Sequence, residues 1–199
     1  MNKSIIQKAP EEGIDIKNNE TETTIIHATE KNLDEVWLII SECAYWLQSK
    51  GMNHWTECYT REVFLEKLRS ENFEVYLLSK KDPVVATITI GKKCPQYYIE
   101  NEEGVNYIPN FKDPESQEVL YITALGVRPK YQGRGYAKSL MTFAEQQART
   151  TGVKYIRFDA RGDYTKLVEF YTKLGYRIKG DMPDPDSPYL LFEKEITYQ

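Results

Sequence analysis

Cysteine is scarce, and what there is does not pair. Cys43, Cys58 and Cys94 are an odd set without metal-like spacing in 199 residues, which excludes a disulfide framework and fits reduced thiols. Histidine is scarcer: neither His27 nor His54 has partners at ligand spacing, so no metal is expected. Long apolar runs are missing as well. The longest near the N-terminus, Val36 to Ile40, falls far short of the ~20 residues a membrane span requires. Residues 1–8 carry no secretory core, so a cytoplasmic protein with no membrane partner is expected. Glycine (11) and proline (9) are at ordinary levels, which excludes collagen-like and low-complexity architectures.

What is present suffices for a packed core. Apolar residues make up 41% and charged residues 28%, in a length that suits one domain with a tail. The net charge of −4 conceals a division. Residues 1–117 hold 13 Lys and Arg against 20 Asp and Glu, whereas residues 118–180 hold 12 against 5. A basic segment inside an acidic chain suggests a local anionic ligand; a nucleic-acid surface would make the whole domain basic.

Residues 1–22 mix Lys, Glu, Asn and Thr with brief apolar pairs and read as a loosely ordered arm, leaving 23–199 as a single domain. Thr24 to Ile26 is a short strand. Asn32 and Glu35 resemble a capping box ahead of Leu33, Val36, Trp37, Ile40, Ala44 and Leu47, which repeat at helical spacing as far as about Ser49. Thr60 caps a shorter helix with Phe64, Leu65 and Leu68 on its apolar side. Residues 74–79 and 84–90 flank Lys80 to Pro83 and predict an antiparallel hairpin. Residues 93–117 form a long inserted loop with Tyr97, Tyr98, Tyr107 and Phe111. Its Glu100, Glu102, Glu103, Asp113 and Glu115 outweigh Lys93 and Lys112, which would favour a cationic amine if the loop borders a substrate site. Val119 to Val127 reads as a buried strand, and a helix follows from Gly135 to Gly152. Lys154 to Ala160 is a strand, Asp163 or Thr165 caps a helix closed by Gly175, and two strands finish the chain. This order predicts a mixed α/β sheet covered by helices on both faces.

The segment Arg128-Pro129-Lys130-Tyr131-Gln132-Gly133-Arg134-Gly135-Tyr136-Ala137 joins strand to helix. Glycines there let backbone N–H groups approach a phosphate, and the helix start adds partial positive charge. A Walker A loop is absent, and Lys138 stands where a dinucleotide fingerprint needs Gly or Ala. The remaining pattern, Gln132, Gly135 and Ala137, resembles the coenzyme A loop of the GNAT superfamily of N-acetyltransferases. Tyr121 to Pro129 is similar to that superfamily's fourth strand, and Phe170-Tyr171-Thr172-Lys173-Leu174-Gly175-Tyr176 to its C-terminal signature. Trp46 to Trp55 is similar to a segment of small bacterial members, so the resemblance spans roughly residues 23–196.

The resemblance implies a three-layer α/β/α fold with about four helices and a largely antiparallel sheet, splayed between its fourth and fifth strands. It implies acetyl-CoA as donor, with no metal, and direct transfer of acetyl to a primary amine of a small molecule in a ternary complex. Leu125, Gly126 and Val127 would pair with the pantetheine arm. Gln132, Gly133, Arg134, Gly135, Tyr136, Ala137 and Lys138 would hold the pyrophosphate. The Val127 N–H would stabilise the oxyanion, and Tyr171 would protonate the departing sulfur while contacting the cofactor. The chain departs from the superfamily at the base: Tyr121 and Thr123 stand where Glu or His is frequent, and neither is strongly basic. A water relayed by Tyr121 and Thr123 comes first, Glu118 second and Asp159 third. Glu118 faces away from Tyr121 and Thr123 unless a bulge intervenes. Tyr164 replaces a frequent Asn and can stack on the cofactor. Trp55, Tyr121 and Asp159 are the candidate substrate contacts. Transfer to a protein N-terminus or lysine, transfer of a longer acyl group, and a non-catalytic coenzyme sensor stay open as rivals, as does a homodimer.

Overall fold

The computed structural model describes residues 14–16, 23–81, 83–99, 118–182 and 188–198. They form an eight-stranded sheet: β1 (Ile14–Ile16), β2 (Thr23–His27), β3 (Phe73–Lys80), β4 (Val84–Gly91), β5 (Val119–Val127), β6 (Tyr155–Arg161), β7 (Arg177–Met182) and β8 (Tyr189–Glu195). Its spatial order is β1-β2-β3-β4-β5-β6-β8-β7, and every neighbouring pair is antiparallel except β5 and β6. The sheet therefore divides between the superfamily's fourth and fifth strands, which are β5 and β6 here. Within the expected arm, Ile14–Ile16 pair with β2. Residues 100–117, the acidic part of the inserted loop, lie outside the described residues.

Alternation along the strands separates two cores. On one face Val75, Leu77 and Ala124 pack against α1 (Leu33–Gln48) and α3 (Arg61–Arg69) through Val36, Ile39, Ile40 and Phe64. On the other, Tyr76, Leu78, Ile88 and Phe158 meet α5 (Tyr136–Thr151) and α6 (Thr165–Lys173) through Leu140, Phe143 and Tyr171. Two short helices, α2 (His54–Cys58) and α4 (Gln96–Ile99), were not expected from periodicity, because neither is long enough to show one. Thr60 caps α3 as expected, accepting from the Val63 N–H at 3.3 Å. Asn32 instead links Thr29 N–H (3.0 Å) to Glu35 (2.8 Å), and a 3-10 turn at Glu30–Asn32 precedes α1. Neither Asp163 nor Thr165 caps α6. Tyr164 holds that position, while Asp163 is taken by Arg161 at 2.9 Å.

A bulge in β5 sets the faces of its second half. Thr89 pairs with Ala124 and Ile90 with Ile122, which leaves Thr123 without a partner on β4. Before it Leu120 and Ile122 face α5; after it Leu125 and Val127 do, and Ala124 and Gly126 turn to α1. Gly126 sits so close to α1 that an added Cβ would lie 3.4 Å from Cys43 Sγ. Insertion of one alanine between Ala124 and Leu125 would reverse this parity and turn Leu125 and Val127 towards α1, whereas deletion of Thr123 would remove the bulge and leave Ile122 and Ala124 in regular alternation, with Leu125 and Val127 still facing α5. The insertion variant is expected to lose its cooperative thermal transition, whereas the Thr123 deletion, which keeps every apolar residue of β5 on its face, retains one; circular dichroism melts compare the two.

Candidate active site

The inner edges of β5 and β6 stay together for three residue pairs only, Val119 with Tyr155, Leu120 with Ile156 and Tyr121 with Arg157. Both strands then continue, β5 against β4 and β6 against β8, so each is anchored on its outer edge while the inner edges part. A cleft of about 780 Å³ opens at that point, lined by residues 122–127 on one side and 158–161 on the other. Arg128 N–H donates to Val85 O at 2.9 Å on the β4 side. Amide directions alternate along a strand, so the Val127 and Leu125 N–H groups point into the gap. Trp46 of α1 and Tyr164 ahead of α6 approach across the opening, with ring centroids 6.3 Å apart.

The glycine turn stands at one end of this cleft. Gly133 and Gly135 have φ of +74° and +86°, and a Cβ at either would meet no atom within 4 Å. The backbone there is therefore reachable from outside. Helix α5 begins next with no side-chain cap and no acid in its first turn, leaving its first N–H groups for an anion. Tyr136 is buried in the core, so only its backbone is available, and Ala137 and Gln132 line the cleft. Most cations of the basic segment are consumed elsewhere: Arg128 by Glu42 (2.6 Å), Lys154 by Glu118 (2.7 Å), Arg157 by Glu193 (2.9 Å) and Arg161 by Asp163. Lys130, Arg134 and Lys138 make no ion pair among the described residues, so the unbalanced charge gathers at the turn. These groups fit a pyrophosphate.

Tyr171 lines the cleft from the α5–α6 side, its ring 4.5 Å from Phe158. Its hydroxyl has no hydrogen bond among the described residues, and burial raises its pKa, so it keeps its proton. Asp159 lies on the opposite face of β6 from Phe158. The Tyr98 hydroxyl donates to it at 2.5 Å and the Tyr97 hydroxyl at 3.2 Å. Burial raises the Asp159 carboxyl, although these two bonds oppose the shift. Thr123 faces the cleft from β5; its carbonyl accepts from the Tyr59 hydroxyl and its own hydroxyl from Lys67 Nζ at 3.0 Å. Trp55 forms part of the wall, edge-on to Tyr59.

Tyr121 and Glu118 are not brought to the cleft. Tyr121 lies where β5 and β6 are still paired, 1% exposed among Tyr98, Val119, Met182 and Leu191. Glu118 precedes β5 at the far end and is exposed, bound to Lys154. The bulge that would alter their relation falls at Thr123, after both.

Residues 34–176 match the Acetyltransferase (GNAT) family. The chain belongs to that family. As a GNAT member it is an N-acetyltransferase, in keeping with its relative YesJ, an uncharacterised N-acetyltransferase of Bacillus subtilis (strain 168). The two are 25% identical over 170 residues, which span 85% of this chain and 88% of YesJ. A GNAT-family acetyltransferase of Listeria monocytogenes 4b F2365 superposes with a TM-score of 0.69 at 16% identity, covering 92% of this chain and 99% of its own. The PaiA N-acetyltransferase of Thermoplasma acidophilum, solved with coenzyme A, superposes with 0.64 at 16% identity over 87% and 98%. No helix among the described residues is long and apolar enough to cross a membrane.

In this GNAT fold Tyr59, Tyr97 and Lys67 line the cleft unforeseen from the sequence, and Tyr98, buried behind it, bonds to Asp159. Nothing local signals that Tyr97 and Tyr98 meet a carboxylate 62 and 61 residues away. Lys67 was legible: three residues after Phe64, it shares that residue's inward face. Burial lowers its pKa from 10.5 to about 8. Unfolding therefore takes up a proton between those pH values, and wild-type stability rises as pH rises from about 8 to 10.5. Lys67→Met is expected to exceed wild type in thermal stability at pH 7, by a margin that vanishes towards pH 10.5; melting curves across pH measure it.

Proposed function

We propose that this GNAT enzyme moves the acetyl group of acetyl-CoA to a primary amine of a small molecule, by direct attack with both substrates bound. The observation that carries the reading is the parted edge. It sets the Val127 N–H, the Tyr171 hydroxyl and the Asp159 carboxyl around one cleft, beside an uncapped helix start. Acetyl-CoA supplies the activated acyl group as a thioester. The Leu125 and Val127 amides, which flank Gly126, take the pantetheine as a missing strand would. The N–H groups of Gly133, Arg134, Gly135, Tyr136, Ala137 and Lys138 hold the pyrophosphate, with the Arg134 and Lys138 charges added. Gln132 Nε2 donates to Val127 O at 3.3 Å and fixes the turn to the strand. Tyr164 closes over the arm.

Asp159 is the proton acceptor in this reading. Its raised pKa makes it a stronger base than an exposed carboxylate, and it stands on the face of the sheet opposite Tyr171. Proton uptake from the amine and proton delivery to sulfur are then separated across the gap. The Val127 N–H meets the developing oxyanion. This reading gives Tyr121 and Glu118 no part, since neither lines the cleft.

Acetyl-CoA at about a hundred times its Kd should stabilise the fold by about 2.7 kcal/mol, a Tm rise of about 5–10 °C, and NAD should not. A shift with NAD alone overturns the donor assignment. Gly135→Val should fold yet lose the acetyl-CoA shift. Tyr171→Phe and Asp159→Asn should each keep it while kcat falls by about 10²–10⁴. Wild-type kcat in either variant removes that residue from the mechanism, and a shift without turnover on any amine or peptide would mark a sensor.

A further inference from the structure

We propose that Lys67 is an anion subsite at the acceptor end of the cleft, so that the acceptor amine also carries a carboxylate. This rests on the acetyl-transfer reading above and names its substrate class.

The three cations of α3 are treated differently. Arg61 pairs with Asp34 at 2.6 Å and Arg69 with Glu30 at 2.8 Å, both at the surface. Lys67, turned inward between them, has no acidic partner among the described residues. Its Nζ lies 4.9 Å from the centre of the Phe73 ring, 5.6 Å from Phe64 and 5.7 Å from Tyr59. One of its three N–H bonds is taken by Thr123 Oγ1. Ring faces and one hydroxyl tolerate an ammonium, but they do not neutralise it. A half-buried cation without a counter-ion is costly, and a protein that keeps one on a cleft wall has left room for an anion from outside. Burial holds this ammonium's pKa near 8, the shift expected where no anion opposes desolvation.

The opposite charge stands in the same cleft and is equally without an ion partner among the described residues. Among the described residues, Asp159 receives from other side chains only the hydroxyls of Tyr97 and Tyr98. Tyr59 lies between the two centres: its ring flanks Lys67, and the Asp159 charge acts on its hydroxyl. Lys67 and Asp159 therefore do not satisfy each other. A ligand with an ammonium at one end and a carboxylate at the other satisfies both. One lysine among aromatic rings suits a monoanion better than a phosphate, which recruits arginine forks or clusters of donors. The acceptor shares about 780 Å³ with the donor's arm, which suits a small amino acid.

The test uses the full chain with straight-chain amino acids from glycine to 6-aminohexanoate and with L-α-amino acids, each beside its carboxamide. Wild type is expected to favour the best carboxylate over its amide by about 10- to 100-fold in kcat/KM, the worth of one charged hydrogen bond. Lys67→Met should reduce that ratio to about 1, mainly through KM, and Lys67→Arg should restore part of it, with the Kd for acetyl-CoA unchanged in both. Calorimetric binding of the same pairs to protein saturated with coenzyme A should show the same preference without turnover. Equal or better use of amides by wild type overturns the subsite, as does a ratio that survives Lys67→Met. A fall in kcat for every acceptor alike would make Lys67 part of the proton path and also overturn it. Absence of binding by every carboxylate and amide overturns it too. Failure of acetyl-CoA to bind, with the carboxylate preference intact, would instead strike the donor assignment alone.

Discussion

Everything at the cleft depends on two neighbouring strands ceasing to bond to one another. Backbone N–H and C=O groups in a sheet interior are normally paired, and leaving them open inside a fold is costly. Here β5 and β6 stay apart because each is anchored along its outer edge, β6 to β8 over seven residue pairs and β5 to β4 up to Val127. The helices brace the division. The Cys43 thiol of α1 donates to Val127 O at 3.3 Å, and burial pushes that thiol's pKa up to about 12, so it remains a neutral donor. Arg128 then ties the end of β5 to Glu42 of the same helix through two bonds, at 2.9 and 2.6 Å.

The arrangement of charge follows from the same division. A basic segment of sequence does not become a basic surface, because most of its arginines and lysines meet acids, and for three of them (Arg128, Arg157 and Lys179) the acid comes from outside the segment. Arg157 meets Glu193 on β8, and Arg128 meets Glu42 on α1. What escapes neutralisation is concentrated at the turn before α5 on one side of the gap. On the other side stand single charges of each sign, Asp159 and Lys67, held by rings and hydroxyls. The polar chemistry of the cleft is thus carried by few groups, each in surroundings of low polarity, where their interactions are strongest.

Much of this was legible in the chain. The turn from Gln132 to Ala137, the stripe of α5 and the Tyr171 segment are local patterns, and local patterns survive folding. A mixed sheet covered by helices on both faces followed from the order of elements, and the splay between the fourth and fifth strands from the family resemblance. The bulge was not legible, since Thr123 is an ordinary strand residue whose displacement arises from register against β4. Past that displacement Thr123 reaches the cleft, while Tyr121 stays where β5 and β6 are still paired. The surroundings of Asp159 were not legible either, since Tyr97 and Tyr98, which bond to it, are residues the sequence leaves in a long loop. Such long-range polar pairs leave no trace in periodicity or spacing.

The parted strands give this sheet four free edges where an open sheet has two, and free edges invite self-association. The outer pair is blunted in familiar ways. β1 is three residues long, and β7 presents exposed Arg177 and Lys179. The inner pair has neither protection, yet it lies beneath Trp46 and Tyr164, whose rings close the approach from solvent. A strand from another protein, with side chains above and below, is too thick to enter there. The molecule can therefore keep an unpaired strand edge ready for a slender guest without becoming sticky towards copies of itself.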